Sequence, residues 1–109
     1  MSAQEGVYPA NKRETIAEAP GLRVRMLALG EGQRVPWHYH NNITERIVCM
    51  EGPMQVKTRD PDAAHLLEPG QMYALAPRTV HYVSGVDHRP CMFISVQGVG
   101  EYDFVRVED

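Results

Sequence analysis

One stretch decides the fold: residues 32–52 read GQRVPWHYHNNITERIVCMEG. His38 and His40 are two residues apart, and side chains at that spacing point to the same face of a β-strand. Pro36 just before them and the turn-forming pair at 41–42 just after them argue against a helix. The stretch therefore predicts a strand that presents two imidazoles on one face.

The chain resumes after that turn as a second predicted strand, whose first residue is Glu45 and which ends at Gly52. The two strands form a short hairpin, and its two imidazoles and one carboxylate converge. Imidazole nitrogen and carboxylate oxygen are ligands that zinc, iron, manganese and nickel all accept. The hairpin therefore predicts a metal site.

Short strands separated by glycine or proline recur along the rest of the chain. Besides the two strands of the hairpin, the predicted strands cover 22–29, 55–59, 65–67, 71–76, 80–83, 91–97 and 102–107. No segment has a sustained helical period. Roughly eight or nine strands with turns between them predict an all-β sandwich or barrel.

Composition narrows the class of protein. The chain has 109 residues with 11 basic and 14 acidic side chains, so its net charge is −3 and a single domain is expected. It has no basic cluster longer than two residues and no long apolar run, which argues against a nucleic-acid or membrane partner. Two cysteines are too few for a disulfide scaffold. We expect a reduced, cytoplasmic protein with a small-molecule ligand or substrate.

Residues 1–20 are polar and end in a break at 19–21. We treat them as an N-terminal arm and residues 21–109 as the barrel domain. The simplest interpretation of the arm is a loosely ordered tail. The alternative is an edge strand over 14–17 that packs on a partner subunit.

His81 lies in a third predicted strand and adds a further imidazole. Four protein ligands on an octahedral metal would leave two positions for water or substrate. No thiolate stands at metal-ligand spacing, which argues against a closed structural zinc site. The pattern is typical of a metal site that binds a substrate rather than of a structural metal site.

The hairpin resembles the first motif of the cupin superfamily. That motif is a glycine, five residues, His-x-His, four residues, a glutamate, six residues and a glycine, and Gly32, His38, His40, Glu45 and Gly52 match it. The resemblance covers roughly residues 22–97. It implies a small single-domain protein of the cupin 2 type, folded as a double-stranded β-helix or jelly roll.

Gly70 and His81 fall at the spacing of the second cupin motif, although Ala76, Arg78 and Gly85 replace the residues usual there. By resemblance, the metal ligands are His38, His40, Glu45 and His81. Family members hold iron, manganese, nickel, zinc or copper, with iron or manganese expected here, and many are dimers.

Strand parity assigns further residues around the site. Arg34 shares the parity of the paired histidines, so it is a candidate for the pocket mouth, but a solvated position near a strand end is the favoured interpretation. Ile47 and Cys49 share the parity of the glutamate and should face the interior, Cys49 most simply as a small buried apolar residue. Trp37 and Tyr39 should face away from the metal, against another layer or a partner subunit. With the arm, they favour a homodimer.

The resemblance leaves the reaction open, because the same fold serves many chemistries. The leading hypothesis is a metal-dependent enzyme with Fe(II) dioxygenase-type chemistry on a small organic molecule. The first alternative is a sugar or keto-acid isomerase that uses manganese, zinc or nickel. The second is a non-catalytic module that binds a metal or a small ligand. No catalytic residue beyond the ligands is identified.

Overall fold

The computed structural model describes residues 8–109, which form ten strands and one 3-10 turn over Val86–His88. The strands are β1 (Lys12–Ala19), β2 (Leu22–Leu29), β3 (Arg34–Tyr39), β4 (Thr44–Glu51), β5 (Met54–Thr58), β6 (Ala63–Leu67), β7 (Met72–Leu75), β8 (His81–Gly85), β9 (Cys91–Gly98) and β10 (Val105–Arg106). Within this range, no helix has the length and apolar character that crossing a bilayer requires.

Two five-stranded antiparallel sheets enclose the core. The first sheet has the order β1-β2-β9-β4-β7 and the second the order β10-β3-β8-β5-β6. Sequence neighbours such as β3 and β4 lie in different sheets, which is the alternation of a jelly roll. The inner faces supply the core: Leu27, Leu29, Val35, Ile47, Cys49, Met54, Val56, Leu67, Leu75, Val83, Cys91, Phe93 and Phe104. The predicted all-β barrel is confirmed.

The N-terminal arm differs from the tail interpretation. Residues 12–19 form β1, which pairs antiparallel with β2 of the same chain and has an irregularity between Thr15 and Ala17. Residues 14–17 therefore lie in an edge strand on this chain's own first sheet, and packing of that strand on a partner subunit stays a prediction. β1 completes the edge of the first sheet and supplies ladder partners to β2. Residues 1–7 of the predicted arm lie outside the described residues.

A bulge in β3 sets the orientation of the metal hairpin. Val35 pairs with Val83 and His38 pairs with His81, so β3 has one residue more than β8 between the two pairs. Pro36 lies in the bulge, where its missing N–H costs no ladder hydrogen bond. As a result Val35 and His38 both face the interior, although they are three residues apart.

The last predicted strand is shorter than expected. Only Val105–Arg106 pair with β3, opposite Tyr39 and His38, whereas a strand was expected over 102–107. Tyr102 and Phe104 instead line the cavity beside the histidines, and Phe104 is 3% exposed. The start of this segment therefore closes the barrel rather than extending the ladder.

Candidate metal centre

The four residues named by the sequence lie together between the two sheets. His38, His40 and His81 come from the second sheet or its margin, and Glu45 comes from β4 of the first. Each residue is buried and offers one ligand atom, and the four atoms lie within 4.8 Å of one another. One carboxylate and three imidazoles from opposite sheets therefore converge on a space the size of an ion.

Each histidine is held by a backbone carbonyl on the side away from the cluster. The Nδ1 atoms contact the carbonyl oxygens of Pro36 (from His38, 2.6 Å), Thr79 (from His81, 2.8 Å) and Asp103 (from His40). A carbonyl can only accept, so each Nδ1 carries the proton. In a neutral ring the Nε2 lone pair is then free for a metal, and the backbone fixes this tautomer.

Glu45 uses its two oxygens differently. Oε1 lies 3.0 Å from His81 Nε2 and 3.3 Å from His40 Nε2. Oε2 accepts a hydrogen bond from Ser95 Oγ and one from Gln97 Nε2 at 3.3 Å. Both donors lie on the inner face of β9, next to β4. They hold Oε2 away from the histidines, so Glu45 presents a single oxygen to the centre of the cluster.

Arg23 extends this support to β2. Its Nε and Nη2 atoms donate to Gln97 Oε1 at 3.1 Å and 2.9 Å, and its guanidinium stacks on the Tyr102 ring at 3.7 Å. Because the amide oxygen of Gln97 faces a cation, its NH₂ group is directed to the Glu45 carboxylate. The chain from Arg23 through Gln97 to Glu45 is a positioning network for the carboxylate ligand.

Gln97→Leu removes one of the two donors to Glu45 Oε2 and should lower metal affinity by about 10- to 100-fold, the usual effect of losing a group that orients a ligand. The affinity is measured by competition with a chelating dye. Gln55→Leu is the matched control, since the Gln55 amide donates to Ser84 Oγ on the second sheet and lies outside the cluster. Equal affinities for the two variants would contradict the assigned role of Gln97.

The pKa values in the cluster depend on two opposing effects, which are burial and the interaction between the histidines and the Glu45 carboxylate. Burial acts to raise the pKa of Glu45, but His40 and His81 outweigh it and hold that pKa well below its usual value. Burial, with the charges of His81 and His40, lowers the pKa of His38 well below its ordinary value. Burial acts to lower the pKa of His40 as well, yet the Glu45 carboxylate dominates and raises it. Glu45 is therefore ionised and His38 neutral.

A cation fits this arrangement. With protons fixed on Nδ1, a neutral imidazole at His40 or His81 would point its Nε2 lone pair at the charged Oε1 of Glu45, and electron-rich atoms at this distance repel unless a proton or a metal lies between them. His40 Nε2 is buried and has no hydrogen-bond partner among the described residues. Three imidazole nitrogens and one carboxylate oxygen suit a divalent transition metal. The residues therefore fit a metal site.

Metal affinity should fall as the pH is lowered. The imidazoles must lose their extra protons to bind, so metal and proton compete for the same atoms. Because the pKa of His40 is raised, competition begins above the ordinary imidazole range and strengthens on acidification, whereas Glu45 stays ionised. Titrations with Mn²⁺ at several values between about pH 5 and pH 8 measure this. Affinity independent of pH over that range would contradict it.

The cavity beside the ligands is small, about 20 Å³. One water needs roughly 10–15 Å³ on such a scale, so the space takes an ion and little more. Its walls are Tyr8, Leu27, Val35, His38, His40, Glu45, Val83, Phe93, Gln97, Tyr102 and Phe104. The polar groups of the cavity are the metal ligands, the Gln97 amide and the hydroxyls of Tyr8 and Tyr102.

The parity assignments have mixed outcomes. Ile47 and Cys49 face the interior as predicted and are fully buried, but neither lines the metal cavity. Burial raises the pKa of Cys49, so its thiol is an apolar core group. Arg34 does not line the cavity and lies at the surface, 3.9 Å from Asp109, because the β3 bulge reverses its parity. Trp37 faces outward, as predicted, and packs on Tyr82.

Sequence reasoning missed the groups that surround the ligands. Ser95 and Gln97 are polar residues at alternate positions on the inner face of an otherwise apolar strand, which is a signal that parity could have found. Phe104 stacks on the His38 ring with centroids 4.2 Å apart, and Tyr102 lies beside the His40 ring at 5.4 Å. Phe104 and Tyr102 lie in a C-terminal segment that contains no recognisable motif, so their contact with the histidines could not be predicted from the sequence.

Comparison with protein families gives a match over residues 25–97 to the cupin domain. The match covers more than half of the chain, and the chain therefore belongs to the cupin domain family. With the buried three-histidine and one-glutamate cluster, this defines a small single-domain cupin that has a site suited to a divalent metal. A comparison with functionally curated proteins gives no match.

Solved structures share the fold at low sequence identity. A double-stranded β-helix protein from Klebsiella pneumoniae is 22% identical, with 100% of this chain and 96% of that chain covered and a TM-score of 0.77. An RmlC-like cupin from Desulfovibrio desulfuricans is 22% identical, with 80% of each chain covered and a TM-score of 0.68. An oxalate oxidase bound to glycolate is 16% identical, with 80% of this chain and 46% of that chain covered and a TM-score of 0.71. These likenesses show the fold alone.

Proposed function

We propose that this protein is a metal-dependent oxidoreductase that acts on a small organic molecule with dioxygen, and that its metal is Fe(II) or, less favoured, Mn(II). The observation that carries the proposal is the buried set of three imidazoles and one carboxylate oxygen held within 4.8 Å. Four protein ligands leave two positions on an octahedral metal. A metal held by these four residues would keep coordination positions for a substrate oxygen and dioxygen.

The cavity walls favour redox chemistry over proton transfer. Among residues 8–109, the walls outside the four ligands contain apolar side chains, Gln97 and two tyrosines, and the tyrosine hydroxyls are the only groups of these walls that could exchange a proton with a substrate. An isomerase needs a general base within hydrogen-bond reach of the substrate carbon. Oxygen chemistry at a metal needs a dry, shaped space with few competing groups. The walls supply such a space.

The size of the cavity limits the substrate. A space of about 20 Å³ beside the ligands takes an ion and little more, so a substrate would enter it with only an atom or two and a sugar does not fit inside it. This supports a small substrate that reaches the metal with one or two atoms. The oxalate oxidase that shares the fold binds glycolate. Oxalate and glycolate are therefore the first probes.

In the proposed reaction the chain's own residues bind, orient and exclude water. A bound metal would supply Lewis acidity and a redox centre. The backbone carbonyls behind the histidines fix the direction of the Nε2 atoms, and Glu45 contributes one negative charge through Oε1. Phe104 and Tyr102 cover the histidine rings and keep bulk water from them. Preorganised ligands need no rearrangement when substrate binds.

The experiment is dioxygen uptake by the protein reconstituted anaerobically with Fe(II) or Mn(II), with oxalate, glycolate and related small acids as probes. Uptake that needs both metal and probe, and that His38→Ala abolishes, supports the proposal. Conversion without dioxygen in the presence of manganese, zinc or nickel overturns it in favour of an isomerase. Stoichiometric metal with a raised melting temperature and no conversion of any probe overturns it in favour of a binding module.

A further inference from the structure

A second pocket, of about 240 Å³, adjoins the metal cavity at the edge of the second sheet. Tyr8 lines both spaces and therefore lies between them. Its ring stacks on Phe104 with centroids 5.7 Å apart, and the Arg13 guanidinium lies 4.5 Å from its centre. The other residues that line the second pocket are Pro9, Gly32, Gln33, Arg34, Pro36 and Arg106. We call this space the arginine pocket.

The β10–β3 ladder places Arg106 beside the metal cavity. β10 is an edge strand of the second sheet, and Arg106 pairs there with His38. Residues directly opposite each other in an antiparallel pair have side chains on the same face, with Cβ atoms about 5 Å apart. Phe104, two residues before Arg106, lines the metal cavity, and residues two apart on a strand share a face. The Arg106 side chain therefore leaves the sheet on the side of the metal ligands.

The two guanidinium groups of the arginine pocket are largely uncommitted. Arg106 is exposed, and its side chain makes no hydrogen bond or ion pair with the rest of residues 8–109. Arg34 Nη2 lies 3.9 Å from a carboxylate oxygen of Asp109, but these side chains are 44% and 64% exposed, and such a pair contributes little. Two cations on one pocket repel each other and attract an anion. The arginine pocket therefore favours a negatively charged ligand.

The hydrogen-bonding character of the arginine pocket narrows the chemistry of that ligand. A guanidinium donates hydrogen bonds and cannot accept one. Gln33 Oε1 already accepts a hydrogen bond from the Gly30 N–H at 2.7 Å, so the Gln33 amide offers its NH₂ group. None of the lining residues among 8–109 is acidic. A set of donors suits a ligand group that only accepts, and a carboxylate is such a group, with a shape that matches the guanidinium fork.

The sizes of the two spaces indicate how one molecule would occupy them. The metal cavity of about 20 Å³ admits an atom or two of a substrate, whereas the arginine pocket of about 240 Å³ takes a short organic acid. Pockets for larger ligands usually measure about 300–1,000 Å³. Because Arg106 and His38 are ladder neighbours, a carboxylate on Arg106 would lie only a few atoms from the metal ligands. A short acid with a second polar end can therefore span both spaces.

We propose that the arginine pocket binds one carboxylate of a short dicarboxylic acid, with Arg106 as its principal partner, while the other end of the molecule reaches the metal past Tyr8. Arg34 and Gln33 supply further donors to the same carboxylate. The inference deepens the proposed function by naming the substrate class, and it rests on that function only for the end of the molecule that reacts. Recognition of the distal carboxylate is a binding property and is measurable without turnover.

The first experiment compares succinate with butyrate, which has the same number of carbon atoms and one carboxylate. Isothermal titration calorimetry of the Mn(II)-loaded protein, without dioxygen, should give an affinity for succinate at least about 10-fold higher. Arg106→Gln should remove most of this difference and leave butyrate unchanged, because only the distal carboxylate loses its partner. Arg46→Gln is the matched control, since it makes the same change of net charge at an exposed position on β4 of the first sheet.

The second experiment locates the bound acid. Mn(II) is paramagnetic, so it should speed the nuclear relaxation of the succinate methylene protons when the acid lies beside the metal, and a Zn(II)-loaded protein gives the diamagnetic reference. We expect Arg46→Gln to keep this enhancement and Arg106→Gln to lose most of it. Succinate that binds without enhanced relaxation lies elsewhere on the protein and overturns the proposal.

The remaining outcomes separate this inference from the proposed reaction. Equal affinities for succinate and butyrate, or equal losses in Arg46→Gln and Arg106→Gln, overturn the inference. Inorganic phosphate that competes with succinate and binds more tightly overturns it in favour of a phosphate group. Dioxygen uptake with oxalate, without any binding of succinate, overturns the inference and leaves the reaction in place. Binding of succinate that depends on Arg106, without dioxygen uptake with any acid, supports the inference and refutes the reaction.

Discussion

We expect His81→Ala to reduce bound metal from about one ion per chain to background and to weaken metal affinity by about 1,000-fold or more. His81 is buried, its Nδ1 is held by Thr79, and its Nε2 lies 3.0 Å from Glu45 Oε1 at the centre of the cluster. Alanine removes a ligand that no neighbouring group can replace. Elemental mass spectrometry of protein purified without a metal-affinity tag measures the loss.

The stability of the variant provides an independent measurement. A ligand that binds only the folded state at 100 times its Kd adds about 2.7 kcal/mol to the free energy of unfolding. The wild-type protein should gain such a term on addition of metal, and His81→Ala should gain none. His88→Ala is the matched control, because His88 is exposed, contacts Tyr82 and lies outside the cluster. Stoichiometric metal in His81→Ala would refute the assigned ligand set.

Phe104→Ala should lower the free energy of unfolding by about 3–5 kcal/mol, the usual cost of truncating a buried phenylalanine. Phe104 is 3% exposed, stacks on the His38 ring at 4.2 Å and packs beside the Tyr8 ring at 5.7 Å. A loss of this size is a large part of the total stability of a small domain. Urea denaturation of the metal-free protein measures it.

The same substitution opens the wall of the cavity beside His38. Phe104→Leu keeps a large apolar side chain at this position and should lose much less stability than Phe104→Ala. The difference between the two variants measures the contribution of the buried volume. Val107→Ala is the control, because Val107 directly follows β10 and its side chain is not part of the core cluster. A loss below about 1 kcal/mol for Phe104→Ala would mean that the C-terminal segment does not close the barrel.

Three of the four clustered residues were predictable because their geometry is local, whereas His81 was assigned through the resemblance to the second cupin motif. His38 and His40 share a face through the two-residue repeat of a strand, and Glu45 follows across one turn. The direction of these side chains follows from the strand backbone alone and does not depend on how the strand packs. The strand pattern was predictable for the same reason, and β2 spans the residues expected, Leu22–Leu29.

The errors arose where one residue or one pairing partner changed the outcome. Parity alone allowed Arg34 to reach the pocket mouth, but the extra residue of the β3 bulge reverses the face of everything before it, and Arg34 lies at the surface, as the favoured interpretation had it. β1 has little apolar alternation of its own, and it is a strand because β2 offers an open edge. Ser95, Gln97 and Phe104 reach the site from about 50 residues beyond Glu45, a separation over which a sequence without its fold specifies no contact.

The backbone carbonyls behind the three histidines have a consequence for the protein's evolution. Substitutions at Thr79 change a side chain and leave the main-chain oxygen in place, so genetic drift there does not disturb the His81 imidazole. Asp103 is constrained further, because its carboxylate also accepts hydrogen bonds from the backbone N–H and side-chain amide of Asn41 beside His40. Glu45 is different, since side chains of Ser95 and Gln97 hold it. Divergence of this site is therefore expected to begin with the side chains that hold Glu45, while the backbone contacts of His38 and His81 are inherited unchanged.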